Sequence, residues 1–193
     1  MQKIHLIIPA AGESSRMGSA TPKQFSNFHG KTILEFVESI FSNLASISSI
    51  TIALNKNQKF IENLGCQFSQ KTSLINCGGS SRSETVLNAL EIIEENIDTK
   101  DWIMVHDAAR LGINESLINN FIREVVSDKV GGILAIPALD TVKRVNEKKQ
   151  IIEAKQLLLA FYAATEYKEF MSFMMSYVAE LEDSDGDETE KEC

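Results

Sequence analysis

Two cationic side chains beside a loop of small residues are the first sign of chemistry in this sequence. Residues 9–18 read Pro-Ala-Ala-Gly-Glu-Ser-Ser-Arg-Met-Gly and follow the apolar run at residues 4–8. Small side chains let a loop backbone approach a ligand, and its amides then become donors to phosphate. Arg16 and Lys23 would supply the charge that a polyphosphate needs. A flexible surface loop with two solvated cations is the alternative, because glycine-containing loops are common.

A second loop of this kind is the Gly-Gly-Ser-Ser-Arg segment at residues 78–82, which precedes a helical pattern. Its glycines would let the backbone press against a flat base or a phosphate, and the following helix would direct free amides at an anion. Thr85 would offer a hydroxyl group to a base or a ribose. A plain strand-to-helix turn with Ser80 or Ser81 as the N-cap is the preferred local alternative.

Charged residues mark two more loops. Residues 106–110 read His-Asp-Ala-Ala-Arg, and residues 140–143 read Asp-Thr-Val-Lys. A carboxylate such as Asp107 at the end of a strand is placed to bind Mg²⁺ or to accept a sugar hydroxyl, and Arg110 could pair with a phosphate. A capping aspartate with its paired arginine is an equally good local alternative at 106–110, and a polar turn that opens a hairpin is the preferred one at 140–143. His106 is interpreted as a structural residue rather than a catalytic base.

The elements that must position these loops alternate between short apolar runs and helical patterns. Predicted strands lie at residues 4–8, 50–54, 74–77, 102–105 and 132–137, and predicted helices at 33–44, 58–64, 83–93 and 115–126. This order indicates an α/β fold with a Rossmann-like, mostly parallel sheet and helices on both faces. Ligands bind beyond the carboxyl ends of strands in such sheets, which is where all of these loops fall. A β-hairpin is predicted at 142–152, and Thr32 with Glu35 predicts a capping box.

The composition argues against several classes of protein. The net charge of −8 over 193 residues is unlike that of a general nucleic-acid binder. No run reaches the ~18 apolar residues that a membrane span requires, and the N-terminus lacks a signal-peptide pattern. The three cysteines, Cys66, Cys77 and Cys193, have no framework spacing. They indicate reduced thiols in a cytoplasmic protein, with Cys66 and Cys77 as apolar filler.

The character of the chain changes at Ala154. Residues 154–182 read as a helical segment that is apolar nearly all round, as in helices buried in a core or an interface. Residues 183–193 form an acidic tail that is expected to be disordered. The predicted organisation is therefore a domain over residues 1–153, with a hairpin arm at about 141–153, followed by this helical segment and the tail.

Taken together, the motifs resemble those of the 2-C-methyl-D-erythritol 4-phosphate cytidylyltransferases, within the sugar nucleotidyltransferase superfamily. The matching segments, in order, are residues 9–17, 22–24, 78–86, 105–110 and 140–143. The resemblance covers about residues 3–153. It implies a nucleotidyltransferase-type fold and the transfer of CMP from CTP to methylerythritol phosphate, giving CDP-methylerythritol and pyrophosphate in non-mevalonate isoprenoid biosynthesis. It also implies Mg²⁺, a cytoplasmic location and a homodimer formed through the hairpin arm.

The resemblance assigns roles residue by residue. Arg16 and Lys23 would be catalytic and would neutralise the triphosphate and its transition state. Asp107, Arg110 and Thr141 would hold the methylerythritol phosphate, with Asp107 also near the metal. The nucleotide would be surrounded by six residues, namely Ala10, Ala11, Gly12, Gly79, Arg82 and Thr85.

Departures from the family pattern leave alternatives open. Leu111 stands where a proline is usual, and after Glu153 the family's Thr-Pro-Gln and Asp-Glu-Ala segments are not found. The remainder therefore reads as aberrant or truncated relative to the family. One interpretation is a cytidylyltransferase, active or impaired by the missing motifs. The others are a non-catalytic remnant that binds a nucleotide or only a partner, and an enzyme for another polyol phosphate such as ribitol 5-phosphate.

Overall fold

Strands and helices alternate along most of the chain. The computed structural model describes residues 2–12, 21–55, 65–128, 130–145, 151–160 and 163–166, and its description of side chains ends at residue 135. The strands are β1 (Ile4–Pro9), β2 (Asn27–Phe28), β3 (Lys31–Thr32), β4 (Ile47–Ala53), β5 (Thr72–Ile75), β6 (Trp102–Val105), β7 (Ala135–Val145), β8 (Ile151–Ala160) and β9 (Ala163–Glu166). The α-helices are α1 (Ile33–Ser42), α2 (Arg82–Ile93) and α3 (Glu115–Val125), and 3-10 turns lie at Lys23–Phe25 and Glu94–Asn96.

The main sheet has the strand order β5-β4-β1-β6-β9. Strands β5, β4, β1 and β6 are parallel, and β9 runs antiparallel to β6 at the edge. The mostly parallel sheet predicted from the apolar runs is therefore confirmed. Because parallel strands end at the same edge, the loops that follow β1, β4, β5 and β6 come together there.

Helices cover both faces of this sheet, as predicted. Leu6 and Ile8 of β1 point to one face, where they join a core built with α1 and α3. Ile7 points to the other face and joins a core built with α2. All three side chains are fully buried, which is why β1 reads as a continuous apolar run rather than an alternating one.

Side-chain caps set where the helices begin. Thr32 and Glu35 form the predicted capping box of α1, in which the Glu35 amide donates to the Thr32 hydroxyl and the Glu35 carboxylate accepts from the Thr32 amide. Ser81 caps α2 by accepting from the amide of Glu84 at 3.1 Å. This start fixes Arg82 as the first residue of α2. The helix predicted at 58–64 lies outside the described residues.

The strand predicted at 132–137 was wrongly placed in the parallel sheet. Its last residues belong to β7, which pairs antiparallel with β8 in a separate two-stranded sheet. The short connection between β7 and β8 allows only an antiparallel pair, because parallel strands need a crossover of a dozen or more residues. The predicted hairpin is confirmed, and its strands are longer than the sequence indicated.

The helix predicted from Ala154 is also wrong for the residues that the structure describes. β8 and β9 occupy residues 151–160 and 163–166, and Leu158 and Leu159 stand opposite Pro137 and Ile136 of β7. A short apolar run fits a buried helix and a buried strand equally well, so the periodicity could not decide between them. Residues 167–193, with the rest of the predicted helix and the acidic tail, lie outside the described residues.

Buried polar side chains secure the elements away from the strands' carboxyl ends. Glu38 of α1 is 2% exposed and accepts from the amide of Ser69 and the hydroxyl of Thr72 at the start of β5. Cys77 is buried in the core beneath α2, and Cys66 packs half-buried against the other core, as predicted for apolar filler. Across the part of the chain that the structure describes, no helix is long and apolar enough to cross a bilayer.

Candidate nucleotide site at the carboxyl edge of the sheet

An open cavity of about 830 Å³ lies at the carboxyl edge of the main sheet. The loops after β1, β4, β5 and β6 form its walls, together with the first turn of α2. Its lining residues are Pro9, Ala10, Ala11, Gly12, Lys23, Gln24, Asn55, Gly79, Ser80, Ser81, Arg82, Thr85, Asp107, Ala108, Ala109 and Arg110. The structure thus brings together nine of the eleven residues that were predicted to form the site.

The side chains of two of those eleven residues are not described, and the roles of all eleven stay predictions. Arg16 lies outside the described residues. Thr141 lies on β7, where its backbone is opposite Gln156, and its side chain is not described. Their assignment as a catalytic residue and a substrate-binding residue stays a prediction.

A buried glutamine shapes the loop after β1. The side-chain nitrogen of Gln24 donates to the carbonyl oxygens of Ala10 and Gly12, both at 2.8 Å. Gln24 is only 3% exposed, although it borders the cavity, whereas the neighbouring Lys23 is exposed at the rim. The 3-10 turn that carries both residues therefore fixes the loop backbone and places an ammonium group beside it.

Tight backbone contact joins the loop after β5 to the loop after β1. The amide of Gly78 donates to the carbonyl of Leu54 at 2.7 Å. A Cβ atom at Gly78 would lie 2.6 Å from the Cβ of Ala11 and 3.0 Å from the Cα of Asn55, closer than such atoms approach. Glycine is needed here because three loops meet at van der Waals distance.

The Thr85 hydroxyl acts within the chain rather than standing free for a ligand. It donates to the carbonyl of Ser81 at 2.8 Å and accepts from the amide of Gly79 at 3.0 Å. A hydroxyl has one proton, so its donor capacity is used inside α2. Thr85 is 3% exposed, and its main effect is to hold Gly79 against the helix start.

Asp107 follows β6 and binds two arginines at the cavity. One carboxylate oxygen accepts from Nε and Nη2 of Arg82, each at 2.7 Å, and the other contacts Nε of Arg110 at 2.7 Å. The side chains of Arg82 and Arg110 are 56% and 42% exposed, and that of Asp107 is 24% exposed. Pairs this exposed contribute little to stability, so the cluster presents positive charge that a ligand can recruit.

His106 is buried beside this cluster and is unsuited to proton transfer. The whole residue is buried, and its ring packs edge-on against the ring of Phe41, with the two ring centroids 5.0 Å apart. Burial lowers the pKa of His106 to about 3, because the charged imidazolium would lose its hydration. The structural interpretation made from the sequence agrees with this neutral, packed imidazole.

The comparisons with known proteins agree with one another. Residues 4–176 match the family model described as 2-C-methyl-D-erythritol 4-phosphate cytidylyltransferase, IspD. The chain belongs to this family. The match continues to residue 176, past Glu153, where the motif resemblance ended.

Relatives and solved structures in the family give the extent of the likeness. The chain is 38% identical to the Nitrosospira multiformis cytidylyltransferase over 147 residues, which are 75% of this chain and 63% of the relative. It is 43% identical to the Haemophilus ducreyi cytidylyltransferase over 148 residues, or 77% of this chain and 62% of the relative. It therefore spans less than two thirds of these relatives' length. The crystal structure of the Francisella tularensis cytidylyltransferase superposes with a TM-score of 0.75 at 27% identity, covering 95% of this chain and 82% of that one.

The side chains at the cavity could hold a magnesium ion only if a bound substrate supplied further ligands to it. Among the residues that the structure describes, no group of three or more His, Cys, Asp or Glu side chains is placed to hold a metal. Mg²⁺ commonly takes one or two carboxylates and completes its shell with phosphate oxygens and water. The single carboxylate of Asp107, at a cavity edged by cations, suits that kind of shared site.

Several residues that line the cavity were not predicted to belong to the site, among them Gln24, Asn55 and Ser80. Asn55 comes two residues after the end of β4, so the strand-end rule that found Asp107 would have found it too. Ser80 donates through its amide and its hydroxyl to the Glu84 carboxylate, which orders the turn before α2. Gln24 carried no local signal for its role, because its acceptors lie 12 and 14 residues earlier.

Proposed function

We propose that this protein transfers CMP from CTP to 2-C-methyl-D-erythritol 4-phosphate and releases pyrophosphate, as the names of its relatives indicate for them. In this reaction a phosphate oxygen of the acceptor bonds to the α-phosphorus of CTP, and the bond from that phosphorus to the pyrophosphate oxygen breaks. Family membership supports the proposal. The observation that carries it in this chain is the cavity that joins a backbone-lined wall to a wall with Arg82, Asp107 and Arg110.

The two walls suit the two halves of the reaction. The loop after β1 and the turn at Gly79 offer backbone groups and little side-chain bulk, which suits a flat base and a ribose. Lys23 at the rim offers a compact positive charge for the triphosphate and for the charge that develops on it during displacement. The protein's part is then to position two anions and to stabilise the transition state.

The arginine wall suits the acceptor phosphate, and it includes Arg82, which the resemblance had assigned to the nucleotide. Arg82 and Arg110 already face one carboxylate at 2.7 Å, which shows that both guanidinium groups reach a common anion. A phosphate at this place would offer more acceptor oxygens than Asp107 and would bind either arginine through charge-assisted hydrogen bonds. Asp107 would then be released to accept a substrate hydroxyl or to ligate Mg²⁺.

Magnesium belongs to this proposal as a cofactor. Asp107 is the described side chain that would hold it together with the nucleotide phosphates. When bound, the ion would neutralise phosphate charge and polarise the phosphorus–oxygen bond that breaks.

Pyrophosphate release tests the activity. We expect release that depends on CTP, Mg²⁺ and methylerythritol phosphate together, measured on the 193-residue chain. The Lys23→Ala variant supplies the background, and a wild-type rate no higher than this background would contradict the proposal.

Two further measurements separate the alternative functions. CTP binding by calorimetry without turnover would favour a non-catalytic nucleotide binder, and absence of binding would favour a protein that only interacts with a partner. Faster release with ribitol 5-phosphate in a competition assay would reassign the acceptor. Each result requires a different function for the same cavity.

We also propose a homodimer formed through the β7–β8 hairpin, in the cytoplasm. Within the described residues these two strands pair only with each other. A lone two-stranded sheet is marginally stable in water, so a second copy of the chain would supply the missing cover. The three cysteines of the sequence, which lack framework spacing, support a reducing compartment. Light scattering coupled to size exclusion would show a monomer mass if the dimer is wrong.

A further inference from the structure

Gln24 has a buried side-chain amide whose donors are both used on the loop after β1. Its two partners, the carbonyl oxygens of Ala10 and Gly12, can only accept hydrogen bonds. The side-chain nitrogen must therefore face them, and its two N–H groups match the two carbonyls. The donor, at 3% exposure, is protected from competing water.

These two hydrogen bonds fix the direction of the loop's peptides. The described peptides are all trans, and in a trans peptide the C=O and the following N–H point in opposite directions. Because the Ala10 carbonyl points at Gln24, the Ala11 amide points away from it. No described residue accepts from the Ala11 amide. Ala11 lines the cavity, so this donor is available to a ligand there.

The direction of a peptide determines which base it suits. An N–H group that faces the N3 position suits cytosine, whose N3 accepts a hydrogen bond. A carbonyl in the same place suits uracil, whose N3–H donates. A turned Ala10–Ala11 peptide would therefore exchange a donor for an acceptor and would reverse the preference between the two pyrimidines.

We propose that Gln24 is a specificity-determining positioning residue, which favours cytosine over uracil by holding the Ala10–Ala11 peptide with its N–H toward the nucleotide. Gln24 itself makes no contact with the base. This inference rests on the proposed use of CTP and adds the residue that makes the backbone wall selective. Turning the peptide in the native protein would leave a buried donor of Gln24 without its carbonyl, which opposes the change.

The test compares nucleotide discrimination in matched variants. Gln24→Met keeps the length of the side chain and removes its donors, and Gln24→Glu replaces the donors with acceptors. Glu38→Met is the matched control, because Glu38 is an equally buried polar residue that binds Ser69 and Thr72 at the other end of the sheet. For each protein, the dissociation constants of CTP and UTP are measured by calorimetry, and the melting temperature is recorded.

Both Gln24 variants are expected to lower the UTP-to-CTP ratio of dissociation constants by about tenfold, the effect of losing one well-placed hydrogen bond. The Glu38→Met control is expected to melt earlier with the ratio unchanged. A folded Gln24 variant that keeps the wild-type ratio would overturn the inference, since loss of stability alone does not change base preference. If the Gln24 variants bind CTP with an unchanged ratio, only the role of Gln24 is rejected and the proposed function stands. If the wild-type protein binds neither nucleotide, the proposed function and this inference are both rejected.

A second measurement needs no variant. The Ala11 amide is followed by NMR in the wild-type protein while CTP or UTP is added. We expect a larger downfield proton shift with CTP, because the amide then donates to the base. Equal shifts with both nucleotides, or none with CTP, would count against the proposed direction of the peptide.

Discussion

Two aspartates flank strand β6 and have opposite surroundings. Asp101 precedes the strand, is 5% exposed and accepts from the amides of Lys3 and Asp98 and from the ring of His5. Asp107 follows the strand, is partly exposed and is held by two arginine side chains at the cavity. A carboxylate held by backbone amides is part of the fold, whereas one held by exposed side chains can exchange them for a ligand.

The largest effect is expected at Lys23, the cation that lines the same cavity as Asp107. Lys23→Ala should lower the turnover number by about 10²–10³-fold, the typical loss for one electrostatic stabiliser of a transition state. Lys31→Ala, which removes an exposed ammonium group on β3, is the control and should keep wild-type turnover. Steady-state pyrophosphate release measures both. Similar rates in the two variants would show that the charge at the cavity has no special role.

Asp107→Asn should separate function from stability. We expect the ratio kcat/KM for the polyol phosphate to fall by about tenfold to a hundredfold, because the amide neither orients both arginines nor binds a metal well. The melting temperature should hardly change, since ion pairs this exposed contribute only ~0–1 kcal/mol. Thermal unfolding and kinetics on the same preparation test the contrast. A strongly destabilised Asp107→Asn protein with normal kinetics would reverse it.

Gly78→Ala should affect both properties at once. The added methyl group meets Ala11 and the backbone of Asn55, so the loops after β1, β4 and β5 must separate. Overpacking of this kind costs about 1–3 kcal/mol of stability. CTP affinity should fall as well, because Ala11 lines the cavity proposed to bind the nucleotide. Chemical denaturation and calorimetry would show this, and an unchanged CTP affinity would mean that the contact between the loops does not shape the site.

Asp101→Asn should have the smallest effect on function. Burial alone would raise the pKa of Asp101, but the Lys3 amide, the His5 ring and the Asp98 amide outweigh it and hold the pKa below its usual value. The carboxylate's stabilising contribution is therefore present above the unfolded pKa of about 3.9 and is lost as the pH falls through the lower folded pKa. We expect Asp101→Asn to lose about 1–2 kcal/mol near neutral pH and to show a flatter acid limb of stability.

The control for Asp101→Asn is its catalytic rate. Turnover should equal that of the wild type at a temperature where both are folded. Melting temperatures measured between about pH 2 and pH 6 give the acid limb. An unchanged acid limb, or a large loss of turnover, would remove the distinction between the two aspartates.

The first two thirds of the fold could be predicted because local signals and tertiary packing agree there. Strands such as β6 are fully buried, so their apolar runs are continuous, and α1 starts where its capping box predicts. The prediction was wrong for the described residues from Ala154 onward, because a continuous apolar run has no periodicity that distinguishes a strand from a helix. Only the pairing of residues 151–160 with β7 identifies this run as a strand.

Those parts of the candidate site that follow strand ends and carry distinctive residue types could be predicted from the sequence. Asp107 and Lys23 stand out because they are charged residues in or beside small-residue loops that follow predicted strands. The roles of Gln24 and Thr85 in holding the loop backbone followed no such rule. Their importance comes from hydrogen bonds to the backbone of the loops, which only the folded chain brings into range.

The neutral imidazole of His106 has a consequence for how the site responds to acidity. With a pKa near 3, His106 adds no charge beside Asp107 at any physiological pH. The guanidinium groups of Arg82 and Arg110 also keep their protons throughout that range. The second ionisation of a phosphate monoester, in contrast, occurs near pH 6. A protonation step near neutral pH would then belong to a substrate phosphate rather than to these three side chains, and changing the acidity of that phosphate should move the pH profile of the reaction while the protein stays the same.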